Sequence, residues 1–270
     1  MPGSDPDTVR AEYATSDSLR VRLDTHRLYS EQPDDLDDRC RRLMCLSGEE
    51  SVLDVGPGPG RFEAHLRSVG HRGLLVGVDA SVGIAVEAAG IAPSARWVVG
   101  DAQALPARSG AFDWAVARHM LYHVPDIPAA LSELRRAIRE GGAALVTTNG
   151  ADSLPALRNL RRDAAEAFGL PAPGGQAGGA FPSTNALELL HSAFPRVETV
   201  LCENALRFTD AAPVANYVES TFTLGGIAED TDLRDRLREW LLRKAQRAIS
   251  SGGGVLHDPK YGALYLAHAE

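Results

Sequence analysis

The sequence has almost no lysine: Lys244 and Lys260 are the only two, and arginine carries nearly all of the positive charge. Positive charge is short overall, with 28 Lys plus Arg against 36 Asp plus Glu, a formal net charge of −8. Proteins that bind mainly through phosphates gather basic residues on one face, so this balance argues against a nucleic-acid partner. No apolar run approaches the ~18–20 residues that span a bilayer, and the opening stretch MPGSDPDTVRAEYATSDS is acidic and polar where a secretory signal is basic and then apolar. A cytoplasmic protein without membrane association is expected. Cysteine is scarce too. Cys40, Cys45 and Cys202 form no C-x-x-C pair, which fits a reducing compartment and argues against structural zinc.

What is present is ordinary for a globular chain of 270 residues: 44% hydrophobic and 24% charged. The first dozen or so residues, rich in Asp, Ser and Pro, are expected to be mobile, with structure beginning near Leu19. Pro33 and the acids Asp34, Asp35, Asp37 and Asp38 predict a helix start with a solvated acidic first turn rather than a metal cluster. Between 51 and 149, five short apolar runs, SVLDV, LLVGVD, RWVVGD, FDWAVA and AALVTTN, alternate with helical stretches near 60–69, 81–89 and 127–139. That alternation predicts βαβ units and a mainly parallel sheet, with Gly141-Gly142 ending the last helix. Beyond it, a helix over 153–168, a Gly/Pro-rich loop over 170–180 and a short helix from Ser183 to Phe194 are expected. A strand over 196–208, two helices over about 211–222 and 229–249, and a last strand over 261–269 follow. The block 209–258 then reads as an insertion between two sheet strands.

Gly56-Pro57-Gly58-Pro59-Gly60 falls where the first strand turns into the first helix, with Asp54 two residues before it. Glycines there let the backbone approach a ligand at the carboxyl edge of an open sheet. The third glycine is one place early for the dinucleotide pattern G-x-G-x-x-G, and the Asp54 carboxylate would repel a pyrophosphate. The loop resembles instead the [D/E]-x-G-x-G-x-G loop of class I S-adenosylmethionine-dependent methyltransferases. Four further stretches resemble the same family: Val78-Asp79-Ala80-Ser81 closing the second strand, Gly100-Asp101-Ala102 closing the third, Arg118-His119-Met120-Leu121-Tyr122-His123-Val124-Pro125-Asp126 after the fourth, and Leu134 to Gly142. In the last, Glu140 stands where the family has Pro.

The resemblance covers about residues 48–149. It implies a Rossmann-like α/β sheet, mostly parallel with an antiparallel last strand, and S-adenosylmethionine as cofactor with S-adenosylhomocysteine as product. Gly56, Gly58 and Gly60 would admit the methionine part, Asp54 its ammonium, Asp79 with Ala80 the ribose, and Asp101 with Ala102 the adenine; Arg118 and Tyr29 join these as cofactor residues. Arg22, His26, Tyr29 and Ser30 resemble an amino-terminal helix that closes over the cofactor in a bacterial small-molecule branch. The implied organisation is a helical cap (1–47), a cofactor-binding core (48–149), and remaining strands with helical insertions that shape an acceptor pocket or lid (150–270).

Methyl transfer from a sulfonium is an in-line displacement, which asks the protein above all to hold the acceptor ~3–3.5 Å from the methyl. An acceptor that must lose a proton also needs a base. His119, at the carboxyl end of the fourth strand, is the first candidate and His123 the second; either is alternatively a cofactor contact or a packing residue. Arg158, Arg161 and Arg162 read as a solvated face or as contacts to an anionic acceptor, and Phe208, Tyr217, Phe222 and Trp240 as core or as an apolar acceptor pocket. A small-molecule acceptor, methylated on oxygen, nitrogen or carbon by a metal-free monomer or homodimer, is the expected function. The alternatives are a non-methylating S-adenosylmethionine-binding protein of the same fold, or a methyltransferase acting on RNA or protein.

Overall fold

A computed structural model describes residues 16–33, 35–170, 181–222 and 231–270. Among the described residues two helices precede the sheet, α1 (Asp17–Tyr29) and α2 (Leu36–Leu43). Asp35 starts α2 by accepting the Asp38 N–H at 2.9 Å. The expected alternation then follows: β1 (Val52–Val55), α3 (Arg61–Ser68), β2 (Leu75–Asp79), α4 (Val82–Ile91), β3 (Arg96–Val99), β4 (Phe112–Arg118), a 3₁₀ turn (Leu121–His123), α5 (Ile127–Ala137) and β5 (Ile138–Asn149). The chain continues through α6 (Pro155–Phe168), α7 (Ser183–His191), β6 (Arg196–Phe208), α8 (Ala211–Glu219), α9 (Thr231–Ser251) and β7 (Leu256–His268).

The seven strands lie in the order β3-β2-β1-β4-β5-β7-β6. The first five pair in parallel, and β7 runs antiparallel to both neighbours, Ala143 opposite His268 and Arg196 opposite His268. Strands covered on both faces need apolar side chains throughout, and β1 is buried at all four residues. One face packs on α5 and α7 through Leu131, Leu134, Ala186 and Leu190; the other packs on α2 and α3 through Cys40, Met44, Phe62 and Leu66. A third core joins α6, α8 and α9 to the ends of β6 and β7, including Phe208, Val214, Val218, Leu241 and Ala245.

Three expectations change. Gly141-Gly142 does not end a helix: α5 stops at Ala137, and both glycines lie in β5, where the register against β4 shifts between Phe112 and Trp114. Gly141 takes a φ of +71°, and a Cβ on Gly142 would sit 2.6 Å from the Asp113 carbonyl, so this bulge requires glycine. The last strand starts five residues early, at Leu256, and pairs with β6 along its full length despite Pro259. The short helix after 182 stops at His191. The expected mobile start and nearly all of the 170–180 loop lie outside the described residues.

Candidate active site

The parallel strand order brings the loops after β1, β2, β3 and β4 to one edge of the sheet, which is where ligands of open α/β folds bind. Gly56, Gly58 and Gly60 all adopt left-handed φ angles, +64°, +61° and +78°, a conformation that costs other residues energy. Two of them are also closed to side chains. A Cβ on Gly60 would meet the Trp97 ring at 2.9 Å, and one on Gly56 would meet Met120 at 2.8 Å. Above Gly58 the nearest neighbour is Leu19 of α1, 3.4 Å from where a Cβ would stand, so the amino-terminal helix lies over the loop.

Asp79 ends β2 beside this loop and accepts the Ser81 N–H at 2.9 Å. Burial pushes its pKa up to about 6, against the opposing pull of the Ser81, Gly58 and Ala80 N–H groups. Ala80 is exposed next to it. Asp101 follows β3, exposed, with the Gln103 N–H on its carboxylate at 2.9 Å, and Ala102 packs half-buried against the main core.

His119 leaves β4 with a φ of +51°, rare for a residue with a Cβ, while its N–H donates to the Thr147 carbonyl at 3.1 Å. This turn sends Met120 onto Gly56 and opens the 3₁₀ turn that holds Tyr122 and His123, whose rings stand 4.5 Å apart. Burial and the charge of Arg22 lower the His123 pKa to about 4, so its imidazole is neutral at physiological pH.

Asp54 and Arg118 do something that the sequence did not announce. Asp54 is 1% exposed, and one of its oxygens accepts from Arg118 Nη2 at 3.2 Å. The other guanidinium nitrogen of Arg118 reaches Asp37 at 2.5 Å, and the guanidinium lies 4.3 Å from the Phe62 ring centre. Burial opposes the charge on Arg118, but the Asp54 and Asp37 carboxylates outweigh it and hold the guanidinium charged. Asp37, half-buried, is thus drawn into an ion pair with Arg118. Asp38 instead holds Arg41 and Arg42 at the surface.

Tyr29 is placed elsewhere, its ring 5.1 Å from Phe208 in the third core. Phe208 and Phe222 are buried there, with Tyr217 and Trp240 packed against them, so these aromatics are core. Arg158 donates to the Ala151 carbonyl and Arg161 to that of Thr221 at 3.2 Å, which leaves only Arg162 of the three on a solvated face. Glu63, Lys260 and Asp258 were missed. Lys260, buried at 8% exposure, donates to Ser30 Oγ at 2.6 Å and lies 3.2 Å from His26 Nδ1. Its rarity in this sequence was the one available signal. No group of three or more His, Cys, Asp or Glu among the described residues has metal-binding geometry.

Residues 53–146 match the family described as a methyltransferase domain. This stretch is similar to the class I S-adenosylmethionine-dependent methyltransferases. Around this methyltransferase domain, the chain is 32% identical over 161 residues to the malonyl-[acyl-carrier protein] O-methyltransferase of Erwinia billingiae, covering 56% of this chain and 62% of that protein. It is 36% identical over 104 residues to the 2-phytyl-1,4-naphtoquinone methyltransferase of Synechocystis, 36% of this chain and 43% of that one. The chain therefore spans about three fifths or less of the curated relatives it matches. A solved phosphoethanolamine N-methyltransferase of Haemonchus contortus, in complex with S-adenosylhomocysteine, shares the fold with a TM-score of 0.57 at 15% identity, covering 95% of this chain and 59% of that one. The residues fit the family's cofactor: three left-handed glycines hold a tight turn at the sheet edge, and Asp79 offers a carboxylate beside them.

Proposed function

We propose that the protein is an S-adenosylmethionine-dependent methyltransferase that acts on a small-molecule acceptor in the cytoplasm. The observation that carries this reading is the glycine loop with Asp79 at its side and Leu19 across it, a cradle for a ligand with a hydroxyl-bearing sugar and an extended chain. The cofactor supplies an electrophilic methyl on a sulfonium. The residues of this chain do the rest. Gly56, Gly58 and Gly60 let the backbone approach, Asp79 accepts from ribose hydroxyls, and Asp101 and Ala102 border the adenine. Leu19 and the rest of α1 keep water from the loop. His119, on the turn after β4, stands where an acceptor proton can be taken, whereas His123 is a poorer base because its conjugate acid is so weakly held.

The acceptor would lie between this edge and the cap made by α1, α6, α8 and α9. Two relatives are named for a malonyl group on an acyl-carrier protein and for a 2-phytyl-1,4-naphthoquinone, and both names support an organic acceptor. Thermal denaturation with S-adenosylmethionine, S-adenosylhomocysteine and NAD tests the reading. A ligand at ~100 times its dissociation constant adds ~2.7 kcal/mol to the folded state. A rise in Tm with the first two and none with NAD is expected; a rise with NAD alone would overturn it.

A further inference from the structure

Beneath the glycine loop lies a buried charge cluster that the proposed reaction does not use directly. Glu63, in the first turn of α3, is 2% exposed, and both of its carboxyl oxygens are sealed from solvent. Its own N–H aside, no N–H of the described residues donates to them, nor to Oδ1 of Asp54. The two side chains lie within hydrogen-bonding reach of each other. Two buried carboxylates in contact repel, while a carboxylic acid beside a carboxylate donates a hydrogen bond, so the contact is stable only with a proton in it.

We propose that Glu63 is a positioning residue: a neutral acid whose O–H donates to Asp54 Oδ1 while Arg118 holds the opposite oxygen, so that the Asp54 carboxylate and the glycine loop after it are fixed for the cofactor. The groups facing the pair support this charge state. Asp54 comes from β1, Arg118 from β4, and Asp37 and the Cys40 thiol from α2; Asp79, at the end of β2, adds negative charge to the same region. Arg118 is the single cation of this set, and it already offsets Asp54 and Asp37, which leaves nothing to offset an ionised Glu63. Burial and the Asp54 charge together push the Glu63 pKa well above its usual value.

The proposal rests on the cofactor reading above, and the experiment separates the two. Glu63→Gln is neutral and keeps an N–H to donate; Glu63→Ala removes the donor. Calorimetric titration with S-adenosylhomocysteine across about pH 6–9 is expected to show Gln within about threefold of wild type and Ala weaker by tenfold or more. Wild-type affinity should fall at the alkaline end as Glu63 ionises, and the Gln variant should not follow it. The infrared difference between wild type and Glu63→Gln at neutral pH should contain the carbonyl stretch of a protonated carboxyl. This second readout needs no ligand. Its absence would overturn the proposal even if wild type failed to bind S-adenosylhomocysteine, a result that would count against the cofactor reading alone. Glu63→Gln behaving like Glu63→Ala would overturn it as well.

Discussion

At Asp79 one proton decides whether β2 ends in a charge. Burial holds its folded pKa at about 6, above the ordinary carboxylate value, so this group contributes stability that is complete at low pH and is lost as pH rises through about 6. Ligand binding runs the other way, because the ionised form is the better acceptor for two hydroxyls. Affinity for S-adenosylhomocysteine is expected to rise with pH through about 6, below the alkaline range in which ionisation of Glu63 lowers it. Asp79→Asn should flatten that profile and lose ~1–3 kcal/mol, measured by calorimetry. His119 needs a different design, because its φ of +51° penalises alanine at the backbone. Asparagine tolerates that conformation far better, so His119→Asn isolates the imidazole. Lower turnover with near-normal S-adenosylhomocysteine affinity is expected; wild-type turnover would remove His119 as the base. Gly60→Ala meets both a left-handed φ and the Trp97 ring, and should unfold more easily and bind more weakly than Gly70→Ala, where the φ is also positive but no atom lies within 4 Å.

At the scale of elements, α6 depends on a residue far away in sequence. Its first N–H groups, on Ala156 and Leu157, donate to the two Asp258 oxygens at 2.8 and 2.9 Å, and Asp258 is fully buried at the start of β7. Asp258→Ala leaves those donors without a partner and should cost ~1–3 kcal/mol in denaturant unfolding. This link explains much of what the sequence did and did not disclose. The βαβ block was readable because its strands are buried on both faces, and that burial writes near-continuous apolar runs such as Val52 to Val55, broken only by Asp54. The start of β7 was not readable. His257, Asp258, Pro259 and Lys260 lack any strand pattern, because two of them, Asp258 and Lys260, are buried polar groups whose partners come from α6 and from the segment after α1. The glycine loop and Asp79 were likewise local signals. Glu63 and Asp37 were invisible, since only the fold brings them to Arg118 and Asp54.

Across the whole molecule, α1 is the element that ties the cap to the core. Arg20 pairs with Glu87 on α4 at 2.5 Å, Arg22 donates to the Ser220 carbonyl at 3.0 Å, Leu19 covers Gly58, and Ser30 bridges to Leu206. Arg20 is exposed, so solvent screens this pair, and Glu87→Ala should change global stability little in denaturant unfolding. Hydrogen exchange is the sharper test of the role of α1: S-adenosylhomocysteine should slow exchange of the amides of 17–29 and of the glycine loop, while those of α5 stay as they were. Equal protection across both helices would mean that α1 does not close over the ligand.

The place of β7 between β5 and β6 also sets an order in time. During synthesis β5 leaves the ribosome with β4 already made, yet its other edge must wait through α6, α7, β6, α8 and α9 for its partner. That waiting edge, Ala143 to Val146, is wholly apolar and fully buried in the finished sheet. Until β7 arrives, the nascent chain carries an open, sticky β edge of the sort that recruits other strands. The hazard for this protein in a cell is therefore concentrated late in translation, where a stalled or cleaved chain would hold most of the methyltransferase domain and nothing to close it.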